Sequence, residues 1–306
     1  MEKNSLSFNG QTLADAPIDP ATNVYITPEP KLAPIPIDYP ELSSDYVIAE
    51  PFHFDASLTY QPNGRLMDPV KISGTASTRP WFIDFNGLVM GGLLNYTCTI
   101  RFQNILTNET FTKSFNSFIN IIGQNPSKTD VKNAIGSDDL VKQAMAFHES
   151  GLTFHQFLMQ TQYGGTPVLG PTYKKPPKSY GGYGIMQLDN GLPGTPDGLP
   201  TIAQMWNWRE NIEGGKALLV QKTKEIKKYY ENRRNEHHPP LPDLTDDQYQ
   251  MAIIQYYNGG VYYKWDDTAK KWAHPASTKE AYADTIMGIV NQVKARKFPK
   301  GWNDPT

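Results

Sequence analysis

Between residues 46 and 125, apolar and polar positions alternate with a period of two, the spacing of half-buried β-strands. Asn-Gly and Gly-Gly pairs interrupt this alternation, and such pairs are typical of tight turns. The pattern therefore predicts short strands near residues 52–60, 69–75, 80–86, 95–103 and 110–122.

Short strands joined by turns at this spacing predict an antiparallel β-sandwich of immunoglobulin-like type over residues 46–126. Residues 1–45 are rich in proline and lack any period, so we predict an extended arm or linker there. A sandwich can bind, position or deliver a neighbouring domain, and its fold alone does not select among these roles.

The apolar spacing becomes helical over the rest of the chain, residues 127–306. Ser137 is a good N-cap, and it predicts a helix that ends near Glu149. Asp138 and Asp139 then fall in its first turn, where the helix dipole favours negative charge.

Three more helices are predicted at about residues 209–234, 245–257 and 277–296, the last two from capping-box patterns. Residues 161–199 are loop-like and dense in glycine, proline and tyrosine. Together these patterns predict a multi-domain α and β chain, with an N-terminal antiparallel β-sandwich and a C-terminal, mainly α domain.

Composition narrows the classes of function. The 306 residues suffice for two domains, and the net charge of −2 argues against a nucleic-acid partner. Cys98 is the single cysteine and lies in a strand-like stretch, so we predict a buried structural thiol. We expect neither a metal site nor a cofactor.

Five short segments carry the candidate chemistry. In chain order they are His148-Glu149-Ser150, Gly182-Tyr183-Gly184-Ile185-Met186-Gln187-Leu188-Asp189, Asn211-Ile212-Glu213-Gly214-Gly215, Tyr257-Asn258-Gly259-Gly260 and Ala281-Tyr282-Ala283. Taken singly, each segment has an ordinary structural explanation, such as a solvated glutamate or an Asn-Gly helix stop. Jointly and in this order, they resemble the goose-type lysozyme and soluble lytic transglycosylase superfamily over roughly residues 138–296.

The resemblance implies a lysozyme-like domain that cleaves peptidoglycan between N-acetylmuramic acid and N-acetylglucosamine. It implies that Glu149 is the general acid and that Tyr282 orients the carboxyl group of Glu149. The substrate-binding positions that it implies are Ser150, Tyr183, Gly184, Met186, Gln187, Tyr257, Asn258 and Tyr282. Ile185 departs from the leucine that this superfamily shows at the same point.

The chemistry requires that a general acid keep its proton near neutral pH, so we expect the surroundings of Glu149 to raise its pKa. Asp189 matches one of the catalytic aspartates of goose-type enzymes. The other has no counterpart, because the chain has no acidic residue between Glu149 and Asp189. Two mechanisms stay open. Either Asp189 activates a water as the base of an inverting hydrolase, or the 6-hydroxyl of the sugar attacks and forms a 1,6-anhydro product.

No stretch approaches about 18 apolar residues, and the N-terminus lacks a signal-peptide pattern. We therefore expect no membrane span and secretion without a signal peptide, with action in the periplasm or on the cell wall of a target bacterium. A type VI antibacterial effector fits this expectation, with a secretion spike protein docked through the N-terminal region and a cognate immunity protein. The alternatives are a phage lysis or tail enzyme and a catalytically inactive glycan-binding protein.

Overall fold

The computed structural model divides the chain into two compact units. The described residues are 6–8, 11–13, 23–37, 45–60, 68–76, 81–161, 167–170, 182–274 and 281–303. Unit 1 comprises residues 1–124 and 159–170, and unit 2 comprises residues 125–158 and 171–306. The fold is mixed α and β, and its described part contains a six-stranded sheet and six α-helices.

Unit 1 is built from β-strands. They are β1 (Leu6–Phe8), β2 (Gln11–Leu13), β3 (Asn23–Ile26), β4 (Ile35–Ile37), β5 (Tyr46–Ile48), β6 (Phe52–Thr59), β7 (Val70–Ala76), β8 (Trp81–Ile83), β9 (Gly92–Asn104), β10 (Thr110–Gly123), β11 (Leu158–Thr161) and β12 (Pro167–Gly170). The main sheet has the order β3-β10-β9-β6-β7, and β5 pairs with the end of β9. Strand β3 runs parallel to β10, and the other described pairings of this sheet are antiparallel. Two-stranded pairs form between β1 and β2, β4 and β8, and β11 and β12.

The period-two alternation gives the main sheet one buried face. Along β6, every second residue from Phe52 to Leu58 is buried. Trp81 on β8 packs against this face, with its ring 4.1 Å from that of Phe52 between centroids. Cys98 lies in the same core, where burial raises the pKa of its thiol to about 12, so it is a structural thiol as predicted.

Four of the five predicted strands are confirmed as β6, β7, β9 and β10, and the fifth, β8, is shorter than predicted. Residues 1–45, predicted as an extended arm, supply β3 and β4, which pair with β10 and β8. Residues 23–37 of this stretch therefore contribute strands to the sheets of unit 1, whereas β1 and β2 pair only with each other. The assignment of an immunoglobulin-like sandwich stays a prediction.

Unit 2 is built mainly from helices. Its elements are α1 (Lys128–Ile135), α2 (Leu140–Glu149), α3 (Ile202–Trp206), α4 (Trp208–Asn235), α5 (Asp246–Tyr257), β13 (Lys264–Asp266), β14 (Lys271–Ala273) and α6 (Tyr282–Lys294). Apolar residues from the longer helices and from the segment before α3 form one buried core. No helix in the described part of the chain is long and apolar enough to cross a membrane.

The caps of two helices test the predicted boundaries. Helix α5 begins at the capping box of Thr245 and Gln248, as predicted. The predicted start of α2 is wrong, because Asp139 is its N-cap and accepts a hydrogen bond from the backbone N–H of residue 142 at 3.0 Å. Ser137 therefore does not cap α2, and Asp138 and Asp139 precede the first turn. Aspartate and serine are both good N-caps, so the sequence alone did not separate these positions.

Helix α6 also begins later than predicted. Its first residue is Tyr282 and its N-cap is Ala281, which makes no side-chain capping hydrogen bond. The predicted capping box at Ser277 and Glu280 lies outside the described residues. Because α6 begins at Tyr282, this phenol stands in the first turn of the helix.

Candidate active site

Helix α2 ends at Glu149, as the sequence predicts. Buried side chains such as Met145 and Phe147 fix the helix against the core of unit 2. Gly151 follows with a φ of 73°, which ends the helix because such left-handed backbone favours glycine. Glu149 is half-buried. Its carboxyl group therefore stands near the negative end of the helix dipole, which is unfavourable for a carboxylate. The raised pKa of Glu149 stays a prediction.

Ser150 holds the backbone just after the general-acid candidate. Its side chain is buried, donates to the carbonyl of Phe147 at 3.2 Å and accepts from the N–H of Phe154 at 2.9 Å. Both hydrogen-bonding functions of this hydroxyl are thus used within the protein. This geometry gives Ser150 a positioning role, while its direct contact with a substrate stays a prediction.

The segment Gly182–Asp189 forms a tight turn in which Tyr183 and Leu188 pair through two backbone hydrogen bonds of 2.9 and 3.0 Å. Gly184 has a φ of 71°, and a Cβ added there would lie 2.4 Å from the side-chain nitrogen of Gln156. The position therefore requires glycine for backbone conformation and for space. Gln187 also adopts a positive φ and donates its side-chain N–H to the carbonyl of Gly184 at 2.8 Å.

Two fully buried amide side chains hold this turn in place. Asn211, at the start of α4, accepts from the N–H of Met186 at 2.8 Å and donates to the carbonyl of Tyr183 at 2.8 Å. Gln156 accepts from the N–H of Ile185 at 3.1 Å and donates to the carbonyl of residue 205 at 2.7 Å. Buried amides that bond to the backbone in this way restrict a turn to one position, because loss of either partner leaves an unsatisfied polar group.

The sequence motifs identified Asn211 but missed Gln156. Its two partners lie 29 and 49 residues away in the chain. Glutamine is an ordinary surface residue by composition, and no local pattern marks this one as fully buried. Only the folded arrangement of the turn against α3 and α4 reveals its function.

Tyr257, the last residue of α5, joins the turn to Glu149. Its hydroxyl donates to the carbonyl of Met186 at 2.8 Å. Burial raises the pKa of Tyr257, and the negative charge of Glu149 raises it further. Tyr257 therefore stays neutral, and it lies close enough to Glu149 for the charge of Glu149 to raise its pKa.

Tyr282 faces Glu149 from the first turn of α6. Burial raises the pKa of Tyr282, and the charge of Glu149 together with weak hydrogen bonding to it raises the pKa further. The Tyr282 hydroxyl is buried and meets no hydrogen-bond partner at ordinary geometry in the described part of the chain. Its contact with Glu149 is therefore electrostatic and lacks the geometry of a full hydrogen bond. The ring of His148 packs edge-on against Tyr282, with 5.3 Å between centroids.

Gln255 connects the two helices that carry these phenols. It accepts from the N–H of Ala283, in the first turn of α6, at 3.2 Å. It also donates to the carbonyl of Gly259, just after α5, at 3.3 Å. Gln255 therefore sets the distance between the end of α5 and the start of α6, and the sequence motifs missed it.

Hydrogen bonds and electrostatic effects thus connect Glu149, Met186, Tyr257 and Tyr282, which come from four of the five predicted segments. Asn211, which holds the N–H of Met186, comes from the fifth segment. No protein family, curated protein or solved structure matches this chain. Its function is therefore inferred from these contacts and from the order of the motifs.

Asn258 and Asp189 are the two further site residues that the sequence predicts. Asn258 is the exposed C-cap of α5, so its side chain is open to solvent next to Tyr257. Asp189 is half-buried, and its Oδ1 is buried without a hydrogen-bond partner among the described residues. A desolvated acceptor of this kind favours a donor from a bound molecule or water.

The lysine-bearing loop before Asp189, with Lys174, Lys175 and Lys178, lies outside the described residues. Two cavities of about 680 and 350 Å³ open elsewhere in unit 2, and both include Asp139 at the N-terminal end of α2. A helix of this length places Asp139 about 15 Å from Glu149, so neither cavity belongs to the candidate site.

Proposed function

We propose that unit 2 cleaves the glycan strand of peptidoglycan between N-acetylmuramic acid and N-acetylglucosamine, with Glu149 as the general acid. One observation carries the proposal. The half-buried Glu149, at a helix C-terminus, lies close to the half-buried Tyr257 and the buried Tyr282, whose phenols come from distant parts of the chain. The substrate class is inferred from the order of the five sequence segments.

Glycosidic bond cleavage needs a carboxylic acid that protonates the leaving oxygen. A helix C-terminus and partial burial both favour the neutral form of such an acid. Tyr257 and Tyr282 add hydroxyl groups that stay protonated, because their pKa values are raised. When Glu149 gives its proton to the glycosidic oxygen, it becomes a carboxylate, and the nearby phenols are placed to stabilise this charge.

Two second steps are consistent with this proposal. In the first, Asp189 accepts a proton from a water that attacks the sugar, which gives a reducing end. In the second, the 6-hydroxyl of the same sugar attacks and returns a proton to Glu149, which gives a 1,6-anhydro end and needs no second carboxylate.

Digestion of purified peptidoglycan, followed by mass analysis of the released fragments, tests both the activity and the mechanism. Hydrolysis gives reducing muropeptides, and transglycosylation gives products lighter by one water. We expect Glu149→Gln to abolish release. Asp189→Asn should abolish release only if a water is activated there. Glu236→Gln is a matched control, because Glu236 is an exposed acid at the end of α4, outside the five segments, and its ion pair with Arg233 is of little energetic consequence.

The finer fold assignment belongs to the same proposal. Unit 2 would be a lysozyme-like domain in which α2 supplies the acid. Unit 1 would be a β-sandwich of immunoglobulin-like type, with the β4–β8 pair opposite the main sheet. Trp81 of β8 on Phe52 of β6 supports this second layer. Delivery as an antibacterial effector, with spike and immunity partners, stays a prediction from the sequence.

A further inference from the structure

The exposed face of the main sheet in unit 1 carries two adjacent rows of side chains across β7, β6, β9 and β10. The first row is Ser73, Asp55, Thr97 and Asn116, and the second row is Lys71, Ser57, Asn95 and Phe118. Neighbours within a row are direct cross-strand partners, so their side chains stand on the same face. Each row crosses three strand spacings, about 14 Å.

A cavity of about 480 Å³ opens over these rows. All members of the rows except Phe118 line it. A polar outer face is ordinary for a sheet with one solvated side, but such a face needs no cavity. The volume lies within the range of small-ligand sites, so the depression over the rows is large enough for a small ligand.

The lining side chains are mostly uncharged hydrogen-bonding groups. Thr97 donates to Asn116 at 2.7 Å. Asp55, Ser57 and Asn95 have no side-chain hydrogen-bond partner within the described part of the chain, so their donors and acceptors are available to a ligand. Hydroxyl, amide and carboxylate groups together suit a ligand rich in hydroxyl and amide groups.

The two rows also carry one exposed aromatic ring and one pair of opposite charges. Phe118 is 42% exposed beside Asn95, and its ring can lie against the C–H face of a sugar. Lys71 is the one cation of the two rows, and Asp55 balances it. This balance disfavours a polyanion such as nucleic acid, which binds to clusters of basic side chains.

We propose that these two rows form a glycan-binding face that holds an N-acetylated sugar strand. This proposal rests on the proposed function, because the substrate of unit 2 would then be such a strand. The amides of Asn95 and Asn116 suit the N-acetyl groups, and Asp55 suits paired sugar hydroxyls. Unit 1 would retain the polymer while unit 2 cleaves it.

Sedimentation of the full chain with purified insoluble peptidoglycan tests this inference. Glu149→Gln is used throughout so that the polymer stays intact. Loss of two side-chain contacts in Asp55→Ala/Asn95→Ala should weaken binding about tenfold. Phe118→Ala tests the ring separately. Thr112→Ala is the matched control, because Thr112 is exposed on β10 outside the cavity lining.

We expect soluble N-acetylglucosamine oligomers to compete with the polymer for the glycan-binding face. Equal binding of the Asp55→Ala/Asn95→Ala variant and the Thr112→Ala control, at unchanged thermal unfolding midpoints, would overturn the inference. Competition by stem peptides alone would also overturn it, since the peptide would then be the ligand.

Fragment release by the chain with Glu149 intact is measured in parallel, so that the two proposals fail separately. Absence of release, with binding that Asp55→Ala/Asn95→Ala weakens, contradicts cleavage by unit 2 and supports the glycan-binding face. Release with binding that no face variant weakens contradicts the glycan-binding face alone.

Discussion

The hydroxyl of Tyr257 donates a 2.8 Å hydrogen bond to the backbone carbonyl of Met186, 71 residues earlier in the chain. The N–H of Met186 is in turn held by Asn211. The turn is therefore fixed from both sides, by α4 and by α5. Because Tyr257 also lies near Glu149, one phenol connects the Gly182–Asp189 turn with the predicted general acid.

Tyr257→Phe removes this hydrogen bond and leaves the carbonyl of Met186 without the phenol. We expect the free energy of unfolding to fall by about 1 to 2 kcal/mol, the usual cost of such a loss. We also expect the rate of peptidoglycan cleavage to fall by about tenfold, since the turn is then no longer held in place beside Glu149 by the Tyr257 hydroxyl. Urea unfolding and initial rates of fragment release measure the two effects.

Tyr256→Phe is the control for this change. Tyr256 precedes Tyr257 on α5 and is half-buried, and its ring lies 5.1 Å from the ammonium group of Lys222. Its loss should leave the cleavage rate within about twofold of the original. A similar loss of rate in both variants would show that α5 is generally sensitive and that the bond to Met186 has no special role.

Four of the six described helices, α2, α4, α5 and α6, could be predicted from the sequence because their signals are local, whereas α1 and α3 were missed. The capping box at Thr245 and Gln248 and the helix end at Glu149 both depend on a few adjacent residues. The start of α2 was predicted wrongly, because Ser137 and Asp139 are equally good caps in isolation.

The candidate site was predictable only where a motif marked it. Asn211, Tyr257 and Tyr282 belong to recognisable segments, and the structure connects them through the turn and Glu149. Gln156 and Gln255 belong to none of those segments, although they hold the turn and the start of α6. Their partners are distant in the chain, so their function depends on tertiary structure alone.

Gly184→Ala should destabilise the turn strongly. Its φ of 71° disfavours any Cβ, and the new atom would meet the buried amides of Gln156 and Asn211 at 2.4 and 2.5 Å. We expect a loss of about 2 to 4 kcal/mol in the free energy of unfolding, from strain and overpacking together. Gly191→Ala separates the two causes, because Gly191 has a φ of 76° but no atom within 4 Å of a new Cβ. Its cost should be only about 1 kcal/mol, and equal costs would contradict the tight contact at Gly184.

The buried tyrosines predict a loss of stability at alkaline pH. Burial raises the pKa of Tyr230 to about 12, and it also raises those of Tyr257 and Tyr282. In the unfolded chain these phenols ionise near pH 10. Their contribution to stability is therefore complete below about pH 10 and is lost as the pH rises through the folded-state pKa values.

Urea unfolding at several pH values above about 9 measures this loss. The unfolding free energy should fall with pH, and the tyrosinate absorbance of these residues should appear only on unfolding. Tyr230→Phe should make the fall shallower, whereas Tyr25→Phe, at an exposed position, should leave it unchanged. An unfolding free energy that stays constant up to about pH 11 would contradict the burial of these phenols.

Gln255 sets the distance between the two phenols that face Glu149, so its loss should affect catalysis more than substrate binding. Gln255→Met keeps the volume but removes the hydrogen bonds to Ala283 and Gly259. We expect kcat to fall by about tenfold with little change in KM, because a small shift of Tyr282 disturbs the acid in the transition state. Gln255→Glu keeps an acceptor for the N–H of Ala283 and should recover most of the rate. Gln250→Met, at an exposed position on the same helix, is the control, and equal kcat values for both methionine variants would exclude a positioning role for Gln255.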